Sequence, residues 1–337
     1  MRKVWIITIF AFITAAINSQ NNLENFKQRI LERVGQTTAV DTTYAHDPVI
    51  IKENDKYYIF STGWGINVYS SDNLVEWKFE KPIFMDSPQW AMDSVPGYRG
   101  HTWAPDIAYY NERYLVYYSV STFGKNRSAI GVASNKTLDS NSSDFKWVDH
   151  GPVILSTPKK TNWNAIDANF ILDENGNPYL SFGSFWGGIM LAKLSDDGLS
   201  IAQPYDEFIN ISTRKLKNNS VEAPFIFKKD GWYYLFVSYD FCCRGAESTY
   251  KVVVGRSKSL KGEYFDKDGV SLLDGGGTLV VEGNEKYAGV GHNAVATLDG
   301  VDYLLFHAYD ISRKGVSYLR ILPIIWQDEW PTVTDDF

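Results

Sequence analysis

His46-Asp47, Trp103, Asp167, Glu222 and His292 each stand at the start of a short apolar segment, far apart in a chain of 337 residues. Carboxylates and imidazoles at matching places are suited to acid–base work, and an indole beside them to stacking. Two carboxyl groups on either side of a glycosidic bond suffice to hydrolyse it, one protonating the leaving oxygen while the other activates water or attacks carbon. Taken singly, each has a plainer reading, with Asp47 a turn residue before Pro48 and Asp167 and Glu222 satisfied caps. The chemistry requires that these groups meet, so the elements that carry them decide the matter.

Those elements repeat. A polar lead, an apolar strand, a turn and a strand of alternating aromatics ending in Ser or another small residue occur five times. The copies begin at Asp47-Pro48-Val49-Ile50, Trp103-Ala104-Pro105-Asp106, Asp167-Ala168-Asn169-Phe170, Glu222-Ala223-Pro224-Phe225 and His292-Asn293-Ala294-Val295. With Pro48, Pro105, Asn169, Pro224 and Ala294 taken as equivalent, the intervals are 57, 64, 55 and 70 residues. Runs rich in Tyr, Phe, Val and Ile between Gly, Asn and Asp turns are hairpin signals. A repeat of this length with paired strands predicts an all-β chain folded as a five-bladed β-propeller, whose equivalent strand starts ring a central channel. No linker interrupts the repeats.

Composition narrows the function classes. The chain is 44% hydrophobic and 22% charged, as globular chains are. A formal charge of -7 argues against nucleic acid and anionic membranes as partners. The aromatic share of 15% suits β-structure and faces that stack on sugars. Arg2 and Lys3, an apolar run from Val4 to Ile17 and the small residues Ala15, Ala16 and Ser19 form a secretory-signal pattern. The expectation is therefore a signal over residues 1–20, a single propeller domain over 21–337, and a secreted or periplasmic protein. No lipid-accepting Cys follows the signal. Cys242 and Cys243 are adjacent, and two free thiols are the plainer reading, because a bond between neighbours is strained.

With these motifs in hand, the chain resembles the arabinanase branch of glycoside hydrolase family 43, from about Ala45 to Trp330. The resemblance rests on His46-Asp47-Pro48, Trp103-Ala104-Pro105-Asp106, Ser121-Thr122-Phe123-Gly124, Ala165-Ile166-Asp167, Ser184-Phe185-Trp186, Val221-Glu222-Ala223-Pro224, Cys242-Cys243, Gly275-Gly276-Gly277-Thr278 and Gly291-His292-Asn293. It implies an inverting enzyme in which Asp47 is the general base, Glu222 the general acid and Asp167 a third carboxylate that orients the acid and raises its pKa. It implies a metal, usually calcium, at His292, held largely through water; the spacing identifies no other protein ligand, and no organic cofactor is expected. Trp103, Phe123, Phe185 and Trp186 resemble subsite aromatics, although inter-blade packing would employ such rings equally. Asn164 and Ser184 are candidate donors to sugar hydroxyls, Gly124 would let backbone approach the substrate, and His46 could orient the base, contact sugar or be structural.

The implied activity is endo-hydrolysis of α-1,5-L-arabinofuranosidic bonds in arabinan by a monomer. An exo-acting arabinanase, an arabinofuranosidase or a β-xylosidase uses the same chemistry, and a non-catalytic sugar-binding propeller would lack the acids. Segment 84–100 is expected to shape one end of the cleft. Asp173-Glu174-Asn175-Gly176-Asn177 lacks the length of a calcium loop and reads as a hairpin turn. Gly275-Gly276-Gly277 lacks the Lys of a phosphate loop and reads as a tight connection.

Overall fold

Strands alternating apolar and aromatic residues must bury both faces, and stacking small twisted sheets around an axis does so. In the computed structural model, which describes residues 23–216, 218–334 and 337, the strands form five blades. The proposed signal lies outside the described residues. Blade one comprises Val49–Glu53, Lys56–Ser61, Asn67–Ser71 and Glu76–Glu80, with Thr37–Ala39 at its outer edge. Blade two comprises His101–Tyr110, Arg113–Val120, Ser128–Asn135 and Val148–Ser156, with Gly63–Trp64 added beside the first of these. Blade three is Asn169–Leu172, Pro178–Phe182, Ile189–Lys193 and Ile209–Ser212, and blade four is Val221–Lys229, Trp232–Tyr239, Lys251–Ser257 and Thr278–Val281. Blade five has only Tyr287–Leu298, Val301–Asp310 and Val316–Pro323.

The start of the chain completes blade five. Tyr44 bridges Tyr318, Leu319 N–H donates to Thr43 O at 3.0 Å, and Ser317 Oγ donates to Ala45 O at 2.5 Å. The ring is thus closed by strand pairing between its two ends. Its core runs along the seams between blades, as in the cluster of Phe182, Leu180 and Ile130 and that of Val237, Leu235 and Ile189. Among the described residues, no helix is long and apolar enough to cross a membrane.

One local device recurs on every innermost strand. Asp47, Ala104, Asp167, Ala223 and His292 all have φ between 42 and 60°, a conformation that costs non-glycine residues energy. Ladder registers locate the kink: Trp103 pairs with Ser119 and Asp106 with Tyr117, Glu222 with Ser238 and Phe225 with Phe236, Gly291 with His307 and Ala294 with Leu305. Each is a bulge of one extra residue, which bends the strand and re-aims its side chains. The register corrects the sequence alignment of repeats three and five by one place. Ala168 and Asn293, not Asn169 and Ala294, match the three prolines.

Each kink is secured from the preceding blade. Opposite each kink, at or near the end of the blade's second strand, stands an equivalent residue: Thr62, Ser119, Gly183, Ser238 and His307. Thr62 Oγ1 accepts the Ala104 N–H (2.8 Å), Ser119 Oγ that of Asp167 (3.0 Å), Ser238 Oγ that of His292 (2.9 Å) and His307 Nδ1 that of Asp47 (3.2 Å). Gly183 has no side chain to offer, and Asp167 Oδ2 accepts the Ala223 N–H in its stead at 3.2 Å.

Candidate active site

At or beside these kinks Asp47, Asp167 and Glu222 are buried, and their carboxyls lie close enough to act on one another. Asp47 Oδ1 is met by three imidazoles: His46 Nδ1 at 2.8 Å, His292 Nδ1 at 3.1 Å and His307 Nδ1 at 3.5 Å. Thr62 Oγ1 donates to the other oxygen, Oδ2, at 2.5 Å. Burial would raise the Asp47 pKa, but attraction to the surrounding imidazoles, His292 and His46 foremost, outweighs it and holds the carboxyl well below its ordinary value. His46 is raised, the pull of Asp47 prevailing over burial. Burial lowers His292, and lowers His307 further. Because His307 Nδ1 accepts a backbone N–H, its proton sits on Nε2.

The second carboxylate pair behaves oppositely. Glu222 Oε1 accepts from Tyr250 Oη at 2.8 Å and Oε2 from Ser184 Oγ at 2.6 Å. Burial raises the Glu222 pKa, the two hydroxyls oppose it, and the Asp47 charge adds to it. Asp167 is raised well above the carboxylate range by burial, then by Glu222 and Asp47. It has one backbone donor where Glu222 has two hydroxyls. A proton shared by this pair therefore rests more readily on Asp167 than on Glu222 while both hydroxyls stay in place.

The remaining sequence candidates divide into exposed and engaged groups. Phe123 is 74% exposed and Trp186 42% exposed, beside Gly124, around which a Cβ would meet open space. Phe185 (φ 52°) and Trp186 (φ 37°) form a left-handed bend that turns the indole outward, and Phe185 lies 5.9 Å from Phe241. Trp103 is half-buried and donates through Nε1 to His101 Nδ1 at 2.9 Å. Asn164 is buried, with Oδ1 taken by Ser128 (2.7 Å) and Ser156 (3.4 Å), which leaves only its N–H groups for a sugar. The Ser184 hydroxyl is spent on Glu222. Val95, Pro96 and Gly97 of the 84–100 segment, Thr122, Pro158 and Trp186 help line a recess of about 470 Å³.

Sequence reasoning missed His307, Tyr250, Tyr309 and Thr62. His307 carried a signal, since it stands where the other repeats end in a small residue. Tyr309 Oη lies 2.7 Å from His46 Nε2 and accepts the Cys243 N–H at 2.9 Å. Cys242 and Cys243 are joined in a disulfide, which corrects the expectation of free thiols. A left-handed Cys243 (φ 66°) within a hydrogen-bonded loop brings the adjacent sulfurs together. The Asp173 turn is as expected, its Oδ1 accepting from Asn175 N and Asn177 N.

His46, Asp47 and His307 each place one potential metal-ligating atom within 4.8 Å of the others. This set has one carboxylate and two imidazoles, and calcium prefers six to eight oxygens. The His46 and His307 rings are stacked at 3.9 Å, so their in-plane lone pairs run side by side. A calcium ion here would keep most of its water.

The chain's likeness to known proteins agrees with this geometry. It is 46% identical to an extracellular exo-α-(1→5)-L-arabinofuranosidase of Cellvibrio japonicus, over 86% of either chain. It is 43% identical to an extracellular endo-α-(1→5)-L-arabinanase of Bacillus subtilis, over 85% of this chain and 87% of that one. The structure of Cellvibrio cellulosa α-L-arabinanase complexed with arabinohexaose superposes with a TM-score of 0.84 at 45% identity, covering 88% of this chain and 96% of that one. The family model for glycosyl hydrolases family 43 matches residues 37–331. With its propeller, its buried carboxylates and this match along nearly the whole described chain, the protein belongs to glycosyl hydrolases family 43.

Proposed function

We propose that the protein is an exported, inverting endo-1,5-α-L-arabinanase. The observation that carries the mechanism is the contrast between the surroundings of the buried carboxyls: three imidazoles meet Asp47 Oδ1 and push its pKa down, while burial pushes those of Asp167 and Glu222 up. One charged and one protonated carboxyl are what glycoside hydrolysis requires, and the inverting outcome is what the likeness to arabinanases implies. Asp47 takes a proton from water as the water oxygen bonds to the anomeric carbon. The bond from that carbon to the leaving O5 breaks, and Glu222 gives its proton to the departing oxygen. For donation the pair's proton must stand on Glu222, where the Asp167 charge opposes its loss, while Asp167 Oδ2 holds the Ala223 N–H in register. The Glu222 oxygen that donates must exchange its hydroxyl partner for the glycosidic oxygen.

The exposed rings of Phe123 and Trp186 suit packing against arabinofuranose faces, and Trp103 and Phe185 extend the same wall. Arabinan fits the names of both relatives, and their extracellular location supports reading residues 1–20 as a signal. A calcium ion beside His292, held chiefly by water, would supply positive charge near Asp47. Elemental analysis of the purified chain decides that point, and protein devoid of calcium removes the ion from the proposal. Exo-action is the second reading, favoured by the exo-activity that the Cellvibrio japonicus relative is named for and by the 84–100 segment at the recess.

The test is a product time course on linear arabinan and on xylan, with the anomeric configuration followed by NMR. Early oligosaccharides of mixed length with inverted configuration, and intact xylan, are expected. A single short product from the outset would establish exo-action, and retained configuration would remove the base assignment.

A further inference from the structure

The Cys242–Cys243 disulfide lies on the cleft side of blade four, in the loop between Trp232–Tyr239 and Lys251–Ser257. The loop is pinned to itself: Thr249 N donates to Phe241 O at 2.9 Å, Arg244 N to Ser248 Oγ at 3.0 Å, and the Arg244 guanidinium covers the Phe241 ring at 4.2 Å. Cys243 is exposed, yet it touches the buried machinery in two ways. Its N–H donates to Tyr309 Oη at 2.9 Å, and its Sγ lies 3.9 Å from His46 Nε2. Tyr309 Oη is in turn 2.7 Å from His46 Nε2, and His46 Nδ1 is 2.8 Å from Asp47 Oδ1. An unbroken line of contacts leads from the disulfide to the carboxylate.

From this line we infer that the Cys242–Cys243 disulfide is a positioning element for catalysis, fixing Tyr309 and His46 and through them Asp47. The inference rests on the reading of Asp47 as the general base. The physical reason lies in chain entropy: a ring closed between adjacent residues leaves Cys243 few conformers, and its left-handed backbone is costly for an open chain. With the ring closed, the Cys243 N–H is aimed at Tyr309 before substrate arrives. With it open, the backbone can relax toward ordinary φ, the Tyr309 hydroxyl loses its donor, and His46 loses a fixed partner. The bond itself lies within the blade-four loop, and the loop reaches blades five and one through the Cys243 contacts with Tyr309 and His46.

Dithiothreitol provides the test. The reagent transfers two electrons and two protons to the bond, giving the Cys242 and Cys243 thiols and leaving as its own cyclic disulfide. Reduced enzyme, and the Cys242→Ser/Cys243→Ser double variant, are expected to show kcat lower by about tenfold with KM little changed, since a reacting group is misplaced while the surfaces that bind the sugar stay intact. In Tyr309→Phe the oxidised enzyme is expected to be lowered already, and reduction to take nothing further, because both changes break the same line. A readout without turnover is the imidazole nitrogen spectrum: reduction should shift the His46 signals, assigned by His46→Gln, and leave those of His150 unmoved. Melting curves of both redox forms check that each remains folded.

Four results would overturn the inference: unchanged kcat, a rise in KM alone, equal loss on reducing Tyr309→Phe and native enzyme, or an unshifted His46 spectrum. The spectral result needs no substrate. It stands or falls separately from the choice of arabinan as polymer.

Discussion

The two hydroxyls on Glu222 show how finely its proton is placed. Tyr250 and Ser184 both donate to it and both favour the charged form, against the burial that favours the neutral one. Removing one donor should therefore raise the Glu222 pKa and carry the alkaline limb of the kcat/KM profile to higher pH. Tyr250→Phe is expected to do so, with kcat lowered about threefold to tenfold through looser placement of the carboxyl. A profile that keeps its alkaline limb would mean that another group sets it. With Asp47 as the proposed base, the acid limb would follow its depressed pKa, and activity should persist below the ordinary carboxylate range before it falls. Asp47, Asp167 and Glu222 are legible in the sequence because each sits at a repeat start, where chain position alone predicts convergence. Tyr250, Tyr309 and Thr62 are not, since their partners are fixed by register between blades. Ser184 and Asn164 look free for sugar in the sequence, which does not show that a neighbour has already taken a hydroxyl or an amide oxygen.

At the scale of elements, the kinked strand starts and the residues that secure them form a ring of successive dependencies, each blade aiming the next blade's functional group. Gly183 interrupts the ring, and there Asp167 serves both as a backbone anchor for Ala223 and as a partner of the acid. The Ser119 hydroxyl is the step before it. Ser119→Ala leaves the buried Asp167 N–H without its acceptor, at a cost of about 1–3 kcal/mol and a drop in Tm of roughly 2 to 6 °C. Because Asp167 then swings from Ala223, kcat should fall with KM little affected. Ser61 is equally buried and its hydroxyl has no partner among the described residues, so Ser61→Ala is the control and should preserve kcat. Equal kinetic effects in the two variants would break the link between the kink and the chemistry. The five-strand-start pattern is readable from Pro, Asp and Glu spacing, but the one-residue offset in repeats three and five is not. Ala168 and Asn293 replace proline there, and the offset is revealed only by the kinked backbone of Asp167 and by the blade-five register.

For the molecule as a whole, stability depends on seams between blades, and one seam holds an ionisable group at its centre. Asp106 of blade two occupies a place where Phe225 and Ala294 stand in blades four and five. Its Oδ2 accepts the Phe170 N–H at 2.6 Å and Asn169 Nδ2 at 3.4 Å, and Asn169 Oδ1 accepts the Ile226 N–H at 2.8 Å, so three blades are linked in series. Burial outweighs these donors and pushes the Asp106 pKa up to about 7, from an ordinary 3.8. The folded chain therefore binds this proton more tightly than the unfolded chain does. The resulting stability is complete below the unfolded pKa and is lost as pH rises through about 7. Asp47, whose pKa is depressed, acts in the opposite direction, losing stability as pH falls below the ordinary range, so the Asp106 effect must be read as a difference. Asp106→Asn keeps an acceptor for Phe170 and carries no charge at any pH. The Tm of the variant minus that of the native chain should rise by several degrees between pH 5 and pH 8. A difference that stays flat across that interval would mean that Asp106 is solvated in the fold or already charged at low pH, and the seam would then owe its strength to the apolar clusters alone.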